Sequence, residues 1–82
     1  MTKEQRSEYQ RFATVCMRNK IPVRFKSGLY FVSAIVYRLR DRTFEEIFTV
    51  ELTDKNRKDS TITIGLEEFY ITNHSKEDKK NE

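Results

Sequence analysis

The sequence contains few of the residues that build disulfides, metal centres and phosphate-binding loops. Its 82 residues include one cysteine, one histidine, two glycines, one proline and no tryptophan. A single cysteine cannot form an internal disulfide, and no cysteine and histidine have the spacing of a zinc site. Neither Gly28 nor Gly65 lies in a glycine-rich phosphate loop. We therefore expect no metal and no cofactor.

Long apolar segments are also missing. The longest weakly polar run, from Leu29 to Tyr37, is far shorter than the ~20 residues that span a bilayer. No basic segment followed by an apolar stretch opens the chain, so we expect no secretory signal. The sequence predicts a small, soluble, cytoplasmic domain that does not bind a membrane.

Catalytic constellations are equally scarce. His74 lies at the edge of a charged segment, where we expect no neighbouring element to orient it as a base. Cys16 falls on the apolar stripe of a predicted helix, where a buried thiol behaves as an inert small hydrophobe. The acidic pairs at 45–46 and 67–68 are adjacent, so on a strand their side chains point to opposite faces. The sequence therefore favours a protein that is not an enzyme and has no catalytic residues.

The first twenty residues predict one amphipathic helix. Thr2 and Gln5 have the spacing of a capping box. Because proline disfavours helical backbone in the residue before it, we expect the helix to end before Pro22. The apolar stripe recurs at helical period and consists of Tyr9, Phe12, Ala13, Cys16 and Met17.

From Val23 onward the apolar residues alternate with polar ones, which is typical of strands. Five antiparallel strands are predicted, at 23–26, 29–40, 48–53, 61–66 and 70–72. Closure of such a meander into a barrel would remove its exposed edges. The predicted fold is α+β: an N-terminal helix packed on a small, strongly bent five-stranded antiparallel β-barrel over residues 1–73. Residues 74–82 are predicted to form a disordered charged tail.

The long second strand is apolar on both of its faces. Regular alternation places Tyr30, Val32, Ala34 and Val36 on one face, and Leu29, Phe31, Ile35 and Tyr37 on the other. One face belongs to the core. The helix covers the second face, or that face binds a protein partner or another copy in a homo-oligomer.

Basic charge is concentrated in the body of the chain. Residues 1–66 contain thirteen basic and eight acidic side chains, and residues 67–82 contain three basic and five acidic ones. Phosphate backbones attract basic clusters through counterion release, and aromatic rings stack on unpaired bases. Interleaved acidic residues and a net charge of +3 are equally typical of an ordinary solvated surface. The predicted nucleic-acid-binding residues are Arg24, Lys26, Arg38, Arg40, Arg57, Lys58 and Tyr30.

Two segments carry a resemblance to a known family. The stretch IPVRFKSGLYFVSAIVYRL has an alternating strand, a glycine turn and a long bent strand, and ITIGLEEFYI has a glycine-containing strand before a tight turn. Together with the basic N-terminal helix, this order resembles the Sm-like barrel, including the bacterial Sm-like RNA chaperones. The same order is similar to Src-homology-type and Tudor-like barrels, many of which bind proteins.

The sequence departs from the Sm-like pattern at its functional positions. It has VSAIVY where the family usually has a second glycine in the bent strand, and GLEEFY in place of a basic, aromatic and histidine signature. No binding residue is therefore carried over from the resemblance. Our leading hypothesis is a small RNA-associated regulatory protein that binds nucleic acid through a basic surface. The alternative is a protein-interaction adaptor of a bacterium or mobile element, which would use a strand edge or the apolar strand face.

Overall fold

The computed structural model describes the backbone of residues 1–80 and the side chains of residues 1–74. Successive strands pair antiparallel in one four-stranded sheet with the order β1-β2-β3-β4. The sheet curls into half a barrel. The elements in chain order are α1 (Lys3–Arg18), β1 (Val23–Phe25), β2 (Gly28–Leu39), β3 (Glu46–Asp54), β4 (Thr61–Gly65) and α2 (Leu66–Lys80).

The α+β class and the N-terminal helix are confirmed, but the closed five-stranded barrel is wrong. Residues 70–72 lie within α2, and no pairing joins β1 to β4 in the part of the chain that the structure describes. The tight turn expected after the glycine-containing strand is the first turn of α2. Leu66, Phe69 and Tyr70 recur at i, i+3 and i+4, and this helical spacing buries Leu66 and Phe69.

The start of α1 agrees with the capping box. The Thr2 hydroxyl accepts the Gln5 N–H at 3.1 Å, and the Gln5 side chain accepts the Thr2 N–H at 2.9 Å. Such a cap stabilises a helix by about 1 kcal/mol. Tyr9, Ala13 and Cys16 of the predicted stripe are buried. The local sequence therefore sets both the start of this helix and the face that it buries.

The core lies on one side of the curled sheet, between the strands and both helices. Val32 pairs with Leu52, and Val50 pairs with Ile64, so these strand side chains share one face. They form one cluster with the buried side chains of α1 and α2. Both helices therefore lie on the same side of the sheet. Within the described residues, neither helix is long and apolar enough to cross a membrane.

A β-bulge at Ser33 changes which residues of β2 face the core. The pairing with β3 shifts between Val32 and Ala34. Before the bulge Tyr30 and Val32 face the core, and after it Ile35 does so. An extra residue in one strand inverts the alternation beyond it. The grouping expected from regular alternation is therefore wrong for the second half of the strand.

The predicted boundary between a domain at 1–73 and a tail at 74–82 falls inside an element. Helix α2 spans Leu66–Lys80. The side chains of 75–82 and the backbone of 81–82 lie outside the described residues. The disordered tail therefore stays a prediction.

Candidate nucleic-acid interface

The side of the sheet opposite both helices forms a surface that we call the outer face. Its side chains alternate with the core-facing ones in the strand register, and they are absent from the core cluster of the described residues. The bulge at Ser33 places Ala34 and Val36 on this face. The outer face consists of Arg24, Leu29, Phe31, Ala34, Val36, Arg38, Ile47, Thr49, Glu51, Thr53, Thr61 and Thr63.

The predicted basic residues fall into two groups at opposite ends of β2. Arg24 pairs with Leu29 at the start of β2, and the Lys55 N–H donates to the Leu29 carbonyl at 3.0 Å. These contacts bring the 55–60 loop beside the β1–β2 turn, so Arg24, Lys26, Arg57 and Lys58 lie at one end of the sheet. Arg38 pairs with Ile47 at the other end, and Arg40 follows it. At ~3.3 Å per residue, Leu29 and Arg38 are at most roughly 30 Å apart.

The loop that carries Arg57 and Lys58 has a fixed backbone turn. The Asp54 carboxylate accepts the N–H groups of Asn56 at 2.8 Å and Arg57 at 3.0 Å. This side-chain-to-backbone turn holds the loop, because aspartate replaces a backbone acceptor in such turns. Arg57 and Lys58 are both exposed. The Asp54 carboxylate is therefore bonded to backbone N–H groups, and the basic side chains of the loop face solvent.

Two further basic residues have local contacts of their own. Lys26 has a φ of 55°, and its ammonium lies 5.5 Å from the centre of the Phe25 ring. Arg40 Nε lies 3.2 Å from Glu45 Oε1, with about 60% of each side chain exposed. An exposed pair of this kind contributes at most about 1 kcal/mol. Arg40 can therefore exchange Glu45 for another anion at little cost.

Tyr30, which the sequence predicted to bind nucleic acid, lies on the helix side of the sheet. Its ring is half-buried and packs against the core. A Cβ atom at Gly28 would lie 2.8 Å from the Tyr30 ring, so this glycine permits the close approach. Arg24 shares a face with Leu29 and Phe31, so Tyr30 faces away from Arg24. The aromatic ring on the outer face is that of Phe31, which is half-buried.

Phe31 is not among the residues predicted from the sequence, although the length of the β1–β2 turn indicates which face of the sheet it occupies. Phe25 pairs with Gly28, so only two residues connect the strands. That register pairs Arg24 with Leu29, and it determines which face of the sheet each residue of β2 occupies up to the bulge. The same register places Tyr30 opposite Val23, which is buried.

The single histidine is held in a cleft between the helices. His74 stacks on the Tyr70 ring at 4.4 Å between centroids and meets the edge of Phe12 at 5.6 Å. The Tyr70 hydroxyl donates a hydrogen bond to the Glu8 carboxylate. The cleft has a volume of about 250 Å³ and is also lined by Arg11. The expectation that no neighbouring element would orient His74 is therefore wrong, because Phe12 of α1 packs against its ring.

A second polar cluster fastens α1 to the end of the β2–β3 hairpin. Glu46 lies 2.9 Å from the Arg6 guanidinium and accepts the Tyr37 hydroxyl at 3.0 Å. Arg6 also lies over the Phe48 ring, at 4.9 Å from its centre. The hydrogen bond to Glu46 raises the pKa of Tyr37 above its ordinary value, since ionised Tyr37 would lose that bond. Arg6 thus has an acidic partner and lies on the helix side of the sheet.

No group of three or more His, Cys, Asp or Glu side chains that suits a metal ion occurs among residues whose side chains are described. The fold and its surface define a small α+β protein whose sheet is covered by helices on one face and open on the other. No protein-family model, curated protein or solved structure matches the chain. The resemblance to Sm-like and Src-homology-type barrels therefore stays a prediction.

Proposed function

We propose that this protein binds single-stranded nucleic acid, with RNA favoured, on the outer face of its sheet. The observation that supports the proposal is the position of Phe31 between Arg24 and Arg38 on a face that neither helix covers. Unpaired bases stack on aromatic side chains of open sheet faces, and arginines neutralise the adjoining phosphates. The protein is then a binding module in which no chemical step occurs.

The length of the outer face suits an extended strand better than a compact ligand. Arg24 pairs with Leu29 at the start of β2, whereas Arg38 lies at the other end of that strand, at most roughly 30 Å from Leu29. One small anion cannot contact both ends, whereas a strand of several nucleotides follows the whole face. Lys26, Arg57 and Lys58 extend the basic end beyond Arg24. A single-stranded backbone is also flexible enough to follow a curled sheet.

The charge of the outer face also favours an anionic ligand. Among the described strand residues of this face, Glu51 is the one acidic side chain, and it is half-buried in the middle of the sheet. The threonines at 49, 53, 61 and 63 supply hydroxyl donors suited to phosphate and sugar oxygens. Because these groups contact the backbone and not base edges, the proposal predicts little sequence preference.

The test compares two charge-matched double variants in a fluorescence anisotropy titration with labelled single-stranded RNA and DNA. Arg24→Ala with Arg38→Ala removes two arginines from the outer face. Arg11→Ala with Arg18→Ala removes two exposed arginines from α1 and serves as the control. We expect the outer-face variant to bind at least tenfold more weakly than the control. The slope of the logarithm of its binding constant against the logarithm of the salt concentration should become shallower by about 0.7 per lost phosphate contact.

Two results of this titration would overturn the proposal. One is an absence of binding by the unaltered protein to either nucleic acid at low salt. The other is an equal loss in both double variants, because that would trace binding to net charge alone.

The adaptor alternative is favoured by a different surface, the end of the β2–β3 hairpin. Tyr37, Leu39 and Phe44 are exposed there by 51%, 49% and 75%. An apolar protein interface at this site would be insensitive to moderate salt, in contrast to binding on the outer face. Salt dependence therefore separates the two functions.

A further inference from the structure

The edge of β2 is open over the second half of the strand. β1 pairs with β2 only through Gly28, Leu29 and Tyr30, whereas β2 continues to Leu39. In the part of the chain that the structure describes, no strand lies beside β2 on this side beyond Tyr30. The open segment therefore presents strand backbone that lacks a neighbouring strand.

The hydrogen-bond pattern identifies which backbone groups face the open side. The Leu29 carbonyl accepts the Lys55 N–H at 3.0 Å, and the Arg40 N–H donates to the Glu45 carbonyl at 2.9 Å. In an antiparallel ladder, successive residues direct these groups to opposite sides. Counting from Arg40, residues 38 and 36 bond to β3. Ile35, Tyr37 and Leu39 therefore direct their N–H and C=O groups to the open edge.

By contrast, the outer edge of β1 is closed by a side chain. At β1 the backbone N–H and C=O of Arg24 both bond to Asn73 of α2. No comparable side-chain bond reaches Ile35, Tyr37 or Leu39 backbone groups among the described residues. Unblocked edges of this kind add further strands readily.

We propose that two copies of this chain pair antiparallel through the open edges of β2, around a two-fold axis at Tyr37. In this register Tyr37 lies opposite Tyr37 of the second copy, and Ile35 lies opposite Leu39. All three direct backbone groups to the edge, so each pair forms the two hydrogen bonds of a ladder. The joined β2 strands make one continuous eight-stranded sheet from two four-stranded ones.

The side chains of the open segment complement themselves in this register. Ile35, Tyr37 and Leu39 give apolar pairs on the helix side. On the outer face Arg38 lies opposite Val36 of the second copy, so no like charges are directly opposed. Arg40 lies opposite Ala34, whose neighbour in β3 is Glu51. The dimer therefore offers Arg40 a carboxylate and covers side chains that are exposed in the single chain.

Formation of this dimer does not require the proposed function, because backbone hydrogen bonds along the strand edge hold the two copies together. A second copy fits the edge better than an unrelated strand, since the register that satisfies the backbone also avoids opposed charges. In the dimer, Arg38 and Arg40 of both copies lie near the two-fold axis. The outer faces of the two copies then form one surface with basic groups at its centre and at both ends.

The first test measures molar mass by light scattering after size-exclusion chromatography, without nucleic acid. One chain has a mass of 9.9 kDa, and we expect the unaltered protein to have about twice this mass. Leu39→Pro removes an N–H that points to the edge and leaves the β2–β3 ladder intact. Leu39→Ala is the control, because it also loses the leucine side chain but keeps the backbone N–H. We expect Leu39→Pro to be a monomer and Leu39→Ala to dimerise.

The second test does not depend on how well the proline variant folds. In Tyr37→Cys the Cα atoms of the two new cysteines lie about 5.5 Å apart across the axis. A short bismaleimide should therefore link the thiols of the two chains. Thr63→Cys, on β4 far from the axis, is the control, and Cys16 is buried. A monomeric unaltered protein, a dimeric Leu39→Pro or equal cross-linking at both cysteines would overturn the proposal.

Discussion

The amide side chain of Asn73 bonds to both backbone groups of Arg24. Asn73 Oδ1 accepts the Arg24 N–H at 2.8 Å, and Asn73 Nδ2 donates to the Arg24 carbonyl at 3.2 Å. Asn73 Nδ2 also donates to the Phe69 carbonyl at 3.1 Å, within its own helix. A side-chain amide places an N–H donor beside a carbonyl acceptor, as the edge of a neighbouring strand does, and its second N–H remains for the Phe69 carbonyl. Helix α2 thus satisfies the β1 edge that a fifth strand would have covered in a closed barrel.

Replacement of Asn73 tests this edge contact. Asn73→Ala removes both hydrogen bonds to Arg24 and the one to Phe69, and should lower the free energy of unfolding by about 1–3 kcal/mol. Asn73→Asp keeps an acceptor for the Arg24 N–H but loses the donor, so we expect an intermediate loss. Urea denaturation followed by circular dichroism measures both values. Equal stability of Asn73→Ala and the unaltered protein would show that the contact does not hold the β1 edge.

The helical assignment of residues 66–74 is tested by a pair of substitutions in α2. Phe69 is fully buried, whereas Ile71 is 52% exposed. Phe69→Ala should cost about 3–5 kcal/mol of stability, and Ile71→Ala less than about 0.5 kcal/mol. Thermal unfolding of both variants checks the difference. Alternation in a strand would place both residues on one face, so similar losses would contradict the helix.

The β1–β2 register is tested through two neighbouring aromatic residues of β2 that precede the bulge. Tyr30→Ala should lower stability by about 1–3 kcal/mol, because its half-buried ring packs against the core. Phe31→Ala should weaken binding of single-stranded RNA by about 1–3 kcal/mol, the contribution of one stacked base. Phe31→Leu keeps an apolar side chain without the ring and controls for lost hydrophobic surface. Weaker binding in Tyr30→Ala with unchanged stability would assign stacking to Tyr30 instead.

The pKa of Tyr37 gives a prediction on pH dependence. Its hydrogen bond to Glu46 raises the pKa in the folded protein, so folding favours the protonated hydroxyl. The resulting stabilisation is fully present below the ordinary tyrosine pKa and is lost as the pH rises through the higher folded value. The ultraviolet difference titration between the unaltered protein and Tyr37→Phe isolates this group. Glu46→Gln should lower the pKa of Tyr37, and an unchanged titration in that variant would remove the stated cause.

Local patterns were sufficient to predict much of this fold. The capping residues and apolar stripe of α1 and the glycine turn before β2 lie where the sequence indicates. In each case a few neighbouring residues determine the local backbone. The segment at 70–72 lacked such a determinant, because a short apolar stretch suits either a strand or a helix. Its helical state depends on the burial of Phe69 and the bond from Asn73 to a residue 49 positions earlier.

The candidate interface was only partly predictable, for a similar reason. Charge and exposure of Arg24, Lys26, Arg57 and Lys58 follow from composition, and the register brings them to one end of the sheet. The separation of Arg38 and Arg40 from that group depends on the length of β2. The faces of residues beyond 33 depend on a bulge, which no local pattern in VSAIVY indicates.

The most direct test of the central claim maps the bound surface by nitrogen–proton correlation spectra during titration with a short single-stranded RNA. We expect the largest amide shifts at Arg24, at Leu29 to Phe31 and at the outer-face residues of β3, with little change along α1. The shifts should fall together when salt is raised, because the contacts release counterions. Shifts confined to the cleft between α1 and α2, or no shifts at low salt, would contradict binding on the outer face.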